Sequence, residues 1–315
     1  MSEPSFSIVI TAYEAAGTIA GAVESALAQT RPAEEVLVVD DGSGDDLDGA
    51  LRPYMDRIEL VRRPNGGGAA ARNTGAETAA GEFMAILDAD DAYHPRRLEA
   101  IAELAGRRPE LDLIATDARF VVDGEPAGTF LEHNPFPRGD QREAIFASCF
   151  PGGWPAVRIS ALGAAGGFDE GMRIAYDWDC WLRMILAGSE VGMVEEPLYD
   201  YILHGGSLAS SRVASLRERV KLLEKAGRNP NLRPAERPAL ERSLAVHREQ
   251  VARAEIEAAL HGDGSRAELP RLVRSGELGW RLRATAGIAA LAPPLARRLV
   301  PRTAPPEERF GAEGP

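Results

Sequence analysis

The amino-acid sequence predicts an α/β fold, with an open and mostly parallel sheet, helices on both of its faces and a C-terminal helical extension. Three observations lead to this prediction. Apolar runs of strand length alternate with segments of helical periodicity in the first third of the chain, an order typical of parallel sheets. The run Val36–Asp40 is apolar almost throughout, as expected of a strand that is buried on both faces. The segment from Ser215 to His261 is charged and helical in pattern.

Five strands are predicted in the first part of the sheet, each an apolar run of four to six residues. They are Phe6–Thr11, Val36–Asp40, Ile58–Val61, Phe83–Leu87 and Leu113–Thr116. Helices are predicted between them. Thr18 is expected to cap the first, an alanine-rich helix runs to about Ala79, and Pro95 is expected to open another at its first turn, where its missing N–H costs nothing.

Later in the chain the pattern is weaker and the predicted elements are shorter. A helix is predicted at Trp178–Ala187, and two strands are predicted at Val191–Val194 and Leu198–Ile202. Between Ser215 and His261 we expect two helices with a break near Asn229-Pro230.

Length and composition restrict the class of protein. A chain of 315 residues, 44% of them hydrophobic, can form one large domain, or a domain of about 200 residues with a helical tail. The two cysteines, Cys149 and Cys180, cannot make a disulfide framework, so we expect a cytoplasmic protein. The N-terminus lacks the basic region of a signal peptide, and no apolar run reaches the roughly 18 residues that span a bilayer.

The charge is distributed unevenly along the chain. Residues 1–211 carry 35 Asp and Glu against 16 Lys and Arg, whereas residues 212–302 carry 10 against 19. The acidic first part argues against nucleic acid as a partner. The basic second part suits either an anionic membrane surface or a solvated helical face. Its end combines flanking arginines with apolar residues near one helical face, namely Ile288, Leu291 and Leu295, which suit an interfacial helix or packing on protein, including a homodimer partner.

Polar segments follow three of the predicted strands. Thr11-Ala12-Tyr13 ends the first, Asp40-Asp41-Gly42-Ser43 the second and Asp88-Ala89-Asp90 the fourth. In open α/β sheets, ligands bind outside the carboxyl ends of parallel strands. We therefore expect these segments to converge on one binding site.

Acidic pairs in these segments have two interpretations. Asp88 and Asp90 suit Mg²⁺ or Mn²⁺, which take oxygen ligands and keep waters and substrate phosphates. They equally suit an Asx turn or a cap for the next helix. Asp40 and Asp41 can accept hydrogen bonds from a base or a ribose, or can serve a tight turn.

Three further features can carry chemistry. Arg72 follows small residues that allow close backbone approach to a ligand, and its guanidinium can bind a diphosphate, although a surface arginine fits too. Asp177 and Asp179 begin a predicted helix among aromatic residues, as helix caps or as a general base with a raised pKa. His204 precedes two glycines and is either a ligand or a structural histidine.

The order and spacing of these motifs resemble those of family-2 glycosyltransferases with the GT-A fold, the fold of nucleotide-diphospho-sugar transferases. The resemblance covers roughly residues 5–211, about two thirds of the chain. No single motif is decisive, but the combination is specific. In chain order the motifs read SIVITAYE, VVDDGS, GGGAAARNTG, LDADD, GGFDE and YDWDCWLR.

The resemblance implies a donor site for a nucleotide-diphosphate sugar. Residues that match Thr11, Tyr13 and Asp41 hold the nucleotide base, with the tyrosine ring stacked on it. Asp40 lies beside that contact. Arg72 matches a residue that approaches the donor phosphates.

The resemblance also implies a divalent metal, Mn²⁺ or Mg²⁺, and a catalytic base. Asp88 matches the ribose-side member of the Asp-x-Asp motif, and Asp90 matches its metal-coordinating member. His204 matches a histidine that can approach the metal or the diphosphate. Asp177 matches the catalytic base.

Two positions depart from the family pattern. Glu14 follows Tyr13 where asparagine is common, and Tyr176 precedes Asp177 where an acidic residue is common. The second departure keeps Asp179 open as an alternative base, ranked behind Asp177.

The implied reaction is a metal-assisted single displacement that inverts the anomeric configuration. A sugar would pass from the nucleotide donor to a hydroxyl of a sugar, a lipid-linked saccharide or a small molecule, as in polysaccharide synthesis. Trp154 can stack on a sugar ring or belong to the core. A sugar-1-phosphate nucleotidyltransferase needs basic residues after the first strand, which residues 11–17 lack. A catalytically inactive binding module is the other alternative, and the intact acidic motifs argue against it.

The resemblance implies the first of the expected domains, and the sequence pattern predicts the rest. Residues 1–211 form the catalytic domain, with nucleotide-sugar binding in 1–117 and acceptor binding in 118–211. Residues 212–302 form the helical extension, and residues 303–315 are expected to be disordered.

Overall fold

The predicted alternation of strands and helices is present in the computed structural model, which describes residues 3–203, 212–261, 266–276, 278–294, 296 and 300. The chain divides into two compact units, Met1–Leu203 and His204–Pro315. Among the described residues, the first unit carries a sheet with helices packed on it, and the second unit is helical.

The described part of the first unit has nine strands in one sheet. They are β1 (Phe6–Ala12), β2 (Glu35–Asp40), β3 (Glu59–Arg62), β4 (Phe83–Asp88), β5 (Ala92–Tyr93), β6 (Leu113–Val122), β7 (Glu125–Thr129), β8 (Ala156–Arg158) and β9 (Val191–Leu203). All five strands predicted for the first part of the sheet are present. Four of them agree with the expected bounds within one residue at each end, whereas β6 extends six residues beyond the predicted end at Thr116.

Helices connect the strands of the first unit and make up the described part of the second. In the first unit they are α1 (Ile19–Leu27), α2 (Leu47–Leu51), α3 (Gly68–Thr78), α4 (Arg97–Arg107), α5 (Phe130–His133), α6 (Gln141–Ala147), α7 (Ile159–Ala164) and α8 (Tyr176–Ala187). In the second they are α9 (Arg212–Ala226), α10 (Arg237–His261), α11 (Leu269–Arg274) and α12 (Trp280–Leu291).

The sheet is mixed but mostly parallel. Its strand order is β3-β2-β1-β4-β8-β6-β9-β5, with β7 paired to β6. Strands β1 to β4 pair in parallel, and so do β6 and β9. The short strand β8 lies antiparallel between β4 and β6, and the sequence pattern gave no signal for it. The predicted α/β fold with a mostly parallel sheet is confirmed.

Helices cover both faces of the sheet, as predicted. Ile8 and Ile10 of β1 belong to the same buried cluster as Ile19 and Val23 of α1. Successive residues of a strand point to opposite faces, and Val9 faces α3. A Cβ on Gly75 of α3 would overlap the Val9 side chain, so this glycine allows helix and strand to approach closely.

Strand β9 differs from the prediction of two separate strands at Val191–Val194 and Leu198–Ile202. It is continuous, but its pairing with β6 shifts register around Asp117, which lies opposite Pro197. A bulge of this kind disturbs the sequence alternation without ending the strand. The prediction of two separate strands is therefore wrong.

Helix α1 begins directly after Thr18 as predicted, but the expected side-chain cap and the expected helix start at Pro95 are wrong. Thr18 precedes α1, but its hydroxyl donates to the Ala15 carbonyl at 3.4 Å and caps no helical N–H. Pro95 lies two residues before α4, whose first residue is Arg97. Thr18 therefore occupies the N-cap position without a side-chain cap, and Pro95 lies outside the helix that it was expected to open.

The described part of the second unit confirms the helical extension. Helices α9 and α10 are separated by the segment that contains Asn229-Pro230, where the break was predicted. A buried cluster joins α10, α11 and α12; its members include Ile256, Leu260, Leu269, Leu272, Leu282 and Ala286. None of the described helices combines the length and the apolar character needed to cross a bilayer.

Helix α12 does not present the apolar face that the sequence indicated. Ile288 packs against the buried cluster, whereas Leu291 is 90% exposed, so the two residues do not share an environment. Leu295 lies outside the described residues, as do residues 303–315. The predicted domain boundaries stay predictions.

Candidate active site

Strand register brings the predicted site residues to one edge of the sheet. Ala12 at the end of β1 lies opposite Asp40 at the end of β2. On the other side of β1, Thr11 lies opposite Asp88 at the end of β4. Three polar strand ends therefore lie side by side, as their sequence order predicted.

Asp88 is bound to two of the other predicted residues. Both of its carboxylate oxygens accept from one terminal nitrogen of Arg72, at 2.9 and 3.1 Å. The Thr11 hydroxyl donates to the same carboxylate at 3.3 Å. Because Arg72 comes from α3, this ion pair ties that helix to the end of β4.

Arg72 is a buried cation, only 3% exposed. Its guanidinium carbon lies 5.2 Å from the centre of the Tyr176 ring and 5.9 Å from that of Phe168, within the range of cation–π contacts. Burial alone would lower the pKa of Arg72, but the negative charges of Asp88 and Asp177 raise it above its usual value. The side chain therefore stays charged, held by its ion pair with Asp88.

Asp177 lies half-buried in the first turn of α8. Its Oδ1 accepts from the Trp178 backbone N–H at 2.8 Å. A Cβ on Gly153 would lie 3.0 Å from its Oδ2, so the carboxylate faces a stretch of bare backbone. Burial raises the pKa of Asp177, and the nearby Arg72 guanidinium offsets part of that rise. A raised pKa is what a general base for a hydroxyl requires.

Helix α8 is fixed in place by two buried indoles. The indole N–H of Trp178 donates to the Ile145 carbonyl at 2.7 Å, and that of Trp181 donates to the Gly152 carbonyl at 2.9 Å. These bonds satisfy the polar atom of each buried ring. The Trp181 bond also holds the first turns of α8 against the Gly152–Gly153 segment.

Asp179, the alternative base, is engaged in a structural ion pair. It is buried, and its Oδ2 accepts from Arg183 Nε at 2.8 Å. The same arginine donates to the carbonyls of Ala165 and Gly167. Asp179 therefore orients an arginine that holds the loop before α8.

Asp41 fastens the glycine-rich loop to the end of β2. Its carboxylate accepts from the Arg63 side chain and from the backbone N–H groups of Gly66 and Gly67, at 3.1 and 2.7 Å for the two glycines. The residue is buried. Contact of Asp41 with a nucleotide base stays a prediction.

Tyr13 and Asp40 lie at the same edge. Tyr13 is 56% exposed, so its ring is available to stack on a base. Asp40 Oδ1 accepts from the Ser43 N–H at 2.9 Å. Glu14 has a φ of +52°, a conformation that asparagine tolerates better. This gives a physical reason why the family commonly has asparagine at this position. The Glu14 carboxylate accepts from the Gly44 N–H at 2.6 Å.

Asn73 joins α3 to the loop that carries the GGFDE motif. Its side-chain amide donates to the Phe168 carbonyl at 2.9 Å, and its carbonyl accepts from the Phe168 N–H at 2.8 Å. This paired contact places the Phe168 ring beside Arg72. Asn73 belongs to the GGGAAARNTG motif, but nothing in the sequence marks this role.

The turn after β4 carries Asp90, the predicted metal ligand. Asp90 is half-buried, and one carboxylate together with waters and substrate phosphates is the oxygen donor set that Mg²⁺ and Mn²⁺ commonly take. The residues present therefore fit a divalent cation. Among the described residues, no group of three or more His, Cys, Asp or Glu side chains could hold a metal ion without such a substrate. His204, the other predicted ligand, lies outside the described residues.

Trp154 is a core residue and not a sugar platform. It is 6% exposed, its ring stacks on Tyr199 with centroids 5.0 Å apart, and it meets Phe130 edge-on at 5.1 Å. Its indole N–H donates to the Thr116 carbonyl at 3.2 Å. Of the two interpretations that the sequence left open, the structure supports packing.

The comparisons with known proteins agree with this geometry. The family model described as "Glycosyl transferase family 2" matches residues 7–164, half of the chain. The chain belongs to glycosyltransferase family 2. The match covers the strand-end motifs up to Asp90 and stops short of Asp177.

Two curated relatives of this glycosyltransferase are bacterial proteins. The chain is 33% identical over 229 residues to the succinoglycan biosynthesis protein ExoU of Rhizobium meliloti, an alignment that covers 65% of this chain and 64% of ExoU. It is 28% identical over 225 residues to an uncharacterized glycosyltransferase of Rickettsia typhi, which covers 68% of this chain and 69% of the relative.

Solved structures share the fold of this glycosyltransferase. TarS of S. aureus, in its 1–349 form, superposes with a TM-score of 0.66 at 18% identity, covering 94% of this chain and 83% of that one. The mannosyltransferase PcManGT of Pyrobaculum calidifontis, solved with GDP-Man and Mn²⁺, gives 0.64 at 20% identity, with 100% and 89% covered. The GT-A fold is therefore confirmed.

Proposed function

We propose that the protein is an inverting glycosyltransferase that moves a hexose from a nucleotide-diphosphate sugar to an acceptor hydroxyl. The observation that carries the proposal is one buried cation: Arg72 binds Asp88 at the donor edge, and its charge interacts with that of Asp177. One buried guanidinium thus links a candidate donor ligand to a half-buried carboxylate with a raised pKa.

The proposed mechanism gives each of these residues a role. Asp177 accepts the proton of the acceptor hydroxyl as the oxygen attacks the anomeric carbon. The bond to the nucleotide diphosphate breaks on the opposite face, so a single displacement inverts the configuration. A divalent cation held by Asp90 would supply positive charge for the leaving diphosphate, and His204 stays a predicted ligand. The Arg72 guanidinium supplies a fixed positive charge near the donor phosphates. Tyr13, Asp40 and Asp41 hold the nucleotide base of the donor.

The donor and acceptor classes are suggested by the relatives. TarS has been solved with UDP-GlcNAc and with UDP, and PcManGT with GDP-Man and Mn²⁺. ExoU is named for succinoglycan biosynthesis, and a hyaluronan synthase of Pasteurella multocida is 29% identical over 216 residues. These names favour a nucleotide-diphospho-hexose donor, a saccharide acceptor and a role in polysaccharide synthesis.

The Asp177→Asn variant tests the catalytic base. The amide keeps the size and polarity of the carboxylate but takes no proton near neutral pH, so turnover should fall about 100-fold or more. Donor binding should be retained. Transfer from UDP-GlcNAc and GDP-mannose to saccharide acceptors, with nucleotide release as the readout, gives turnover, and calorimetry gives donor affinity.

Asp179→Asn is the matched control, since it changes a neighbouring carboxylate of the same helix. It should lower stability, because it breaks a buried ion pair with Arg183, and leave turnover per folded molecule near normal. If Asp179→Asn abolishes turnover while Asp177→Asn preserves it, the base has been assigned to the wrong carboxylate.

The pH dependence of kcat/KM should respond to the charge of Arg72, because that charge lowers the pKa of Asp177. Asp177 acts only when deprotonated, so activity falls as the pH drops through its pKa, which burial raises. Replacing Arg72 with Met removes a positive charge that favours the ionised form, and the acid limb of kcat/KM should therefore move to higher pH. The surface variant Arg119→Met, which breaks an ion pair with Asp200, should leave the limb in place. A limb that stays put in Arg72→Met would contradict the assignment of Asp177.

Nucleotide affinity should depend on a divalent cation through Asp90. Calorimetry of UDP and GDP with Mn²⁺ and with EDTA should give tighter binding with the metal in the wild type. Asp90→Ala should remove that difference, because it deletes the proposed metal carboxylate. Equal affinity under all four conditions would remove the metal from the mechanism.

We further propose a cytoplasmic protein that contacts an anionic membrane surface through α12. Cys149 and Cys180 are free thiols, which suits a reducing compartment. On α12, Trp280 is 72% and Leu291 90% exposed. They are eleven residues apart, which is close to three helical turns, so both project from one side.

Vesicle co-sedimentation tests the membrane contact. The wild type should bind anionic vesicles at low salt and leave them at high salt, since each basic residue near such a surface contributes on the order of 1 kcal/mol. The double variant Trp280→Ser, Leu291→Ser should bind less. Val246→Ser, which changes a 53% exposed residue of α10, should bind like the wild type. Failure of the wild type to sediment would reject the proposal.

A further inference from the structure

A buried carboxylate behind the acidic turn has no part in the mechanism above. Asp91 directly follows the Asp88-x-Asp90 motif and is 3% exposed. Its Oδ2 accepts from the Tyr199 hydroxyl at 2.7 Å, and its Oδ1 accepts from the Ile202 N–H at 2.8 Å. Both partners belong to β9, more than 100 residues along the chain.

The Tyr199 hydroxyl reaches both ends of the acidic turn. The Asp88 N–H points to it at 3.4 Å, while the hydroxyl itself donates to Asp91. The turn is closed by the Asp91 N–H, which donates to the Asp88 carbonyl at 3.1 Å. One oxygen atom on β9 thus lies against the first and last residues of the turn that presents Asp90.

The Tyr199 ring is held in one place by its neighbours. It is fully buried, stacked on Trp154 at 5.0 Å and in edge contact with Tyr93 at 5.7 Å. The Arg97 guanidinium lies over the ring, 5.2 Å from its centre. Side chains in close-packed surroundings have little freedom to move, so the position of the hydroxyl is fixed by the core.

We propose that Tyr199 and Asp91 are positioning residues for the metal ligand Asp90. Through the hydrogen bonds that Asp91 accepts from Tyr199 and Ile202 they set the conformation of the Asp88–Asp91 turn. That conformation sets the direction in which the Asp90 carboxylate faces a metal–diphosphate ligand. The proposal rests on the function proposed above. Groups behind metal ligands orient them, and their loss commonly costs about 10- to 100-fold in metal affinity.

The test compares two buried tyrosines that differ in what their hydroxyls hold. Tyr199→Phe removes the oxygen beside the acidic turn. Tyr93→Phe removes a hydroxyl that donates to the Ile86 carbonyl at 2.6 Å, in the same aromatic cluster. Both changes delete one buried oxygen from neighbouring rings, so their general effect on packing is matched.

Calorimetry of UDP and GDP binding, with Mn²⁺ and with EDTA, is the readout for the full-length protein. In Tyr199→Phe the gain in affinity that Mn²⁺ provides should shrink about 10-fold or more, while affinity in EDTA stays within about two-fold of the wild type. Tyr93→Phe should keep the full metal-dependent gain. A purely structural role for Tyr199 would lower both affinities together.

The outcomes separate the two proposals. If the wild type shows no metal-dependent gain, the proposed metal chemistry fails and this inference falls with it. If the wild type shows the gain and Tyr199→Phe keeps it, or if Tyr93→Phe loses it equally, only the positioning role is overturned. Should Tyr199→Phe not fold, Asp91→Asn replaces it, because the amide fills the same space but cannot accept both hydrogen bonds; a retained gain would overturn the inference in the same way.

Discussion

The site depends on one buried cation. Arg72 is almost fully enclosed, yet it stays charged because Asp88 binds it directly and Asp177 lies nearby. A lone buried charge is costly, and so is a pair of carboxylates without a cation between them. Asp88 ends a strand and Asp177 begins a helix nearly 90 residues later. Arg72 therefore couples the charge of the proposed donor ligand, Asp88, to that of the proposed base, Asp177.

The small residues that precede Arg72 allow α3 to pack closely enough for the arginine to reach Asp88. The sequence suggested that glycine and alanine at 66–71 allow a ligand to approach the backbone. In the structure they first allow protein to approach: a Cβ on Gly68 would meet the Tyr176 hydroxyl at 2.5 Å, and the three alanines of α3 before Arg72 are buried. Farther along α3, Gly75 brings the helix onto β1. Close helix–sheet packing is what lets a long arginine reach the end of β4.

The sequence could predict which polar residues meet at the edge of the sheet, but not the long-range contacts that support them. Thr11, Asp40 and Asp88 follow apolar runs in a βαβ order, and parallel pairing then places strand ends together whatever the details of packing. The link between Asp91 and Tyr199 joins residues 108 positions apart, and nothing local marks either one. The antiparallel strand β8 is three residues long, too short to leave an alternation. The bulge between β6 and β9 also led the sequence pattern to predict two strands in place of one. Periodicity depends on neighbours in sequence and does not show which strands pair in the sheet.

Tyr176 occupies a position where the family commonly has an acidic residue, and the structure gives this change a consequence for the base. Its ring faces Arg72 through the electron-rich π surface, so the cation keeps a partner without a further negative charge. Burial raises the pKa of the Tyr176 phenol to about 12, and the side chain therefore stays neutral at any pH where the enzyme works. The charge of Asp88 already adds to the rise in the pKa of Asp177. A carboxylate at position 176 would push that pKa higher still, because like charges disfavour ionisation. The tyrosine thus holds Arg72 in place while leaving Asp177 easier to deprotonate than an acidic neighbour would.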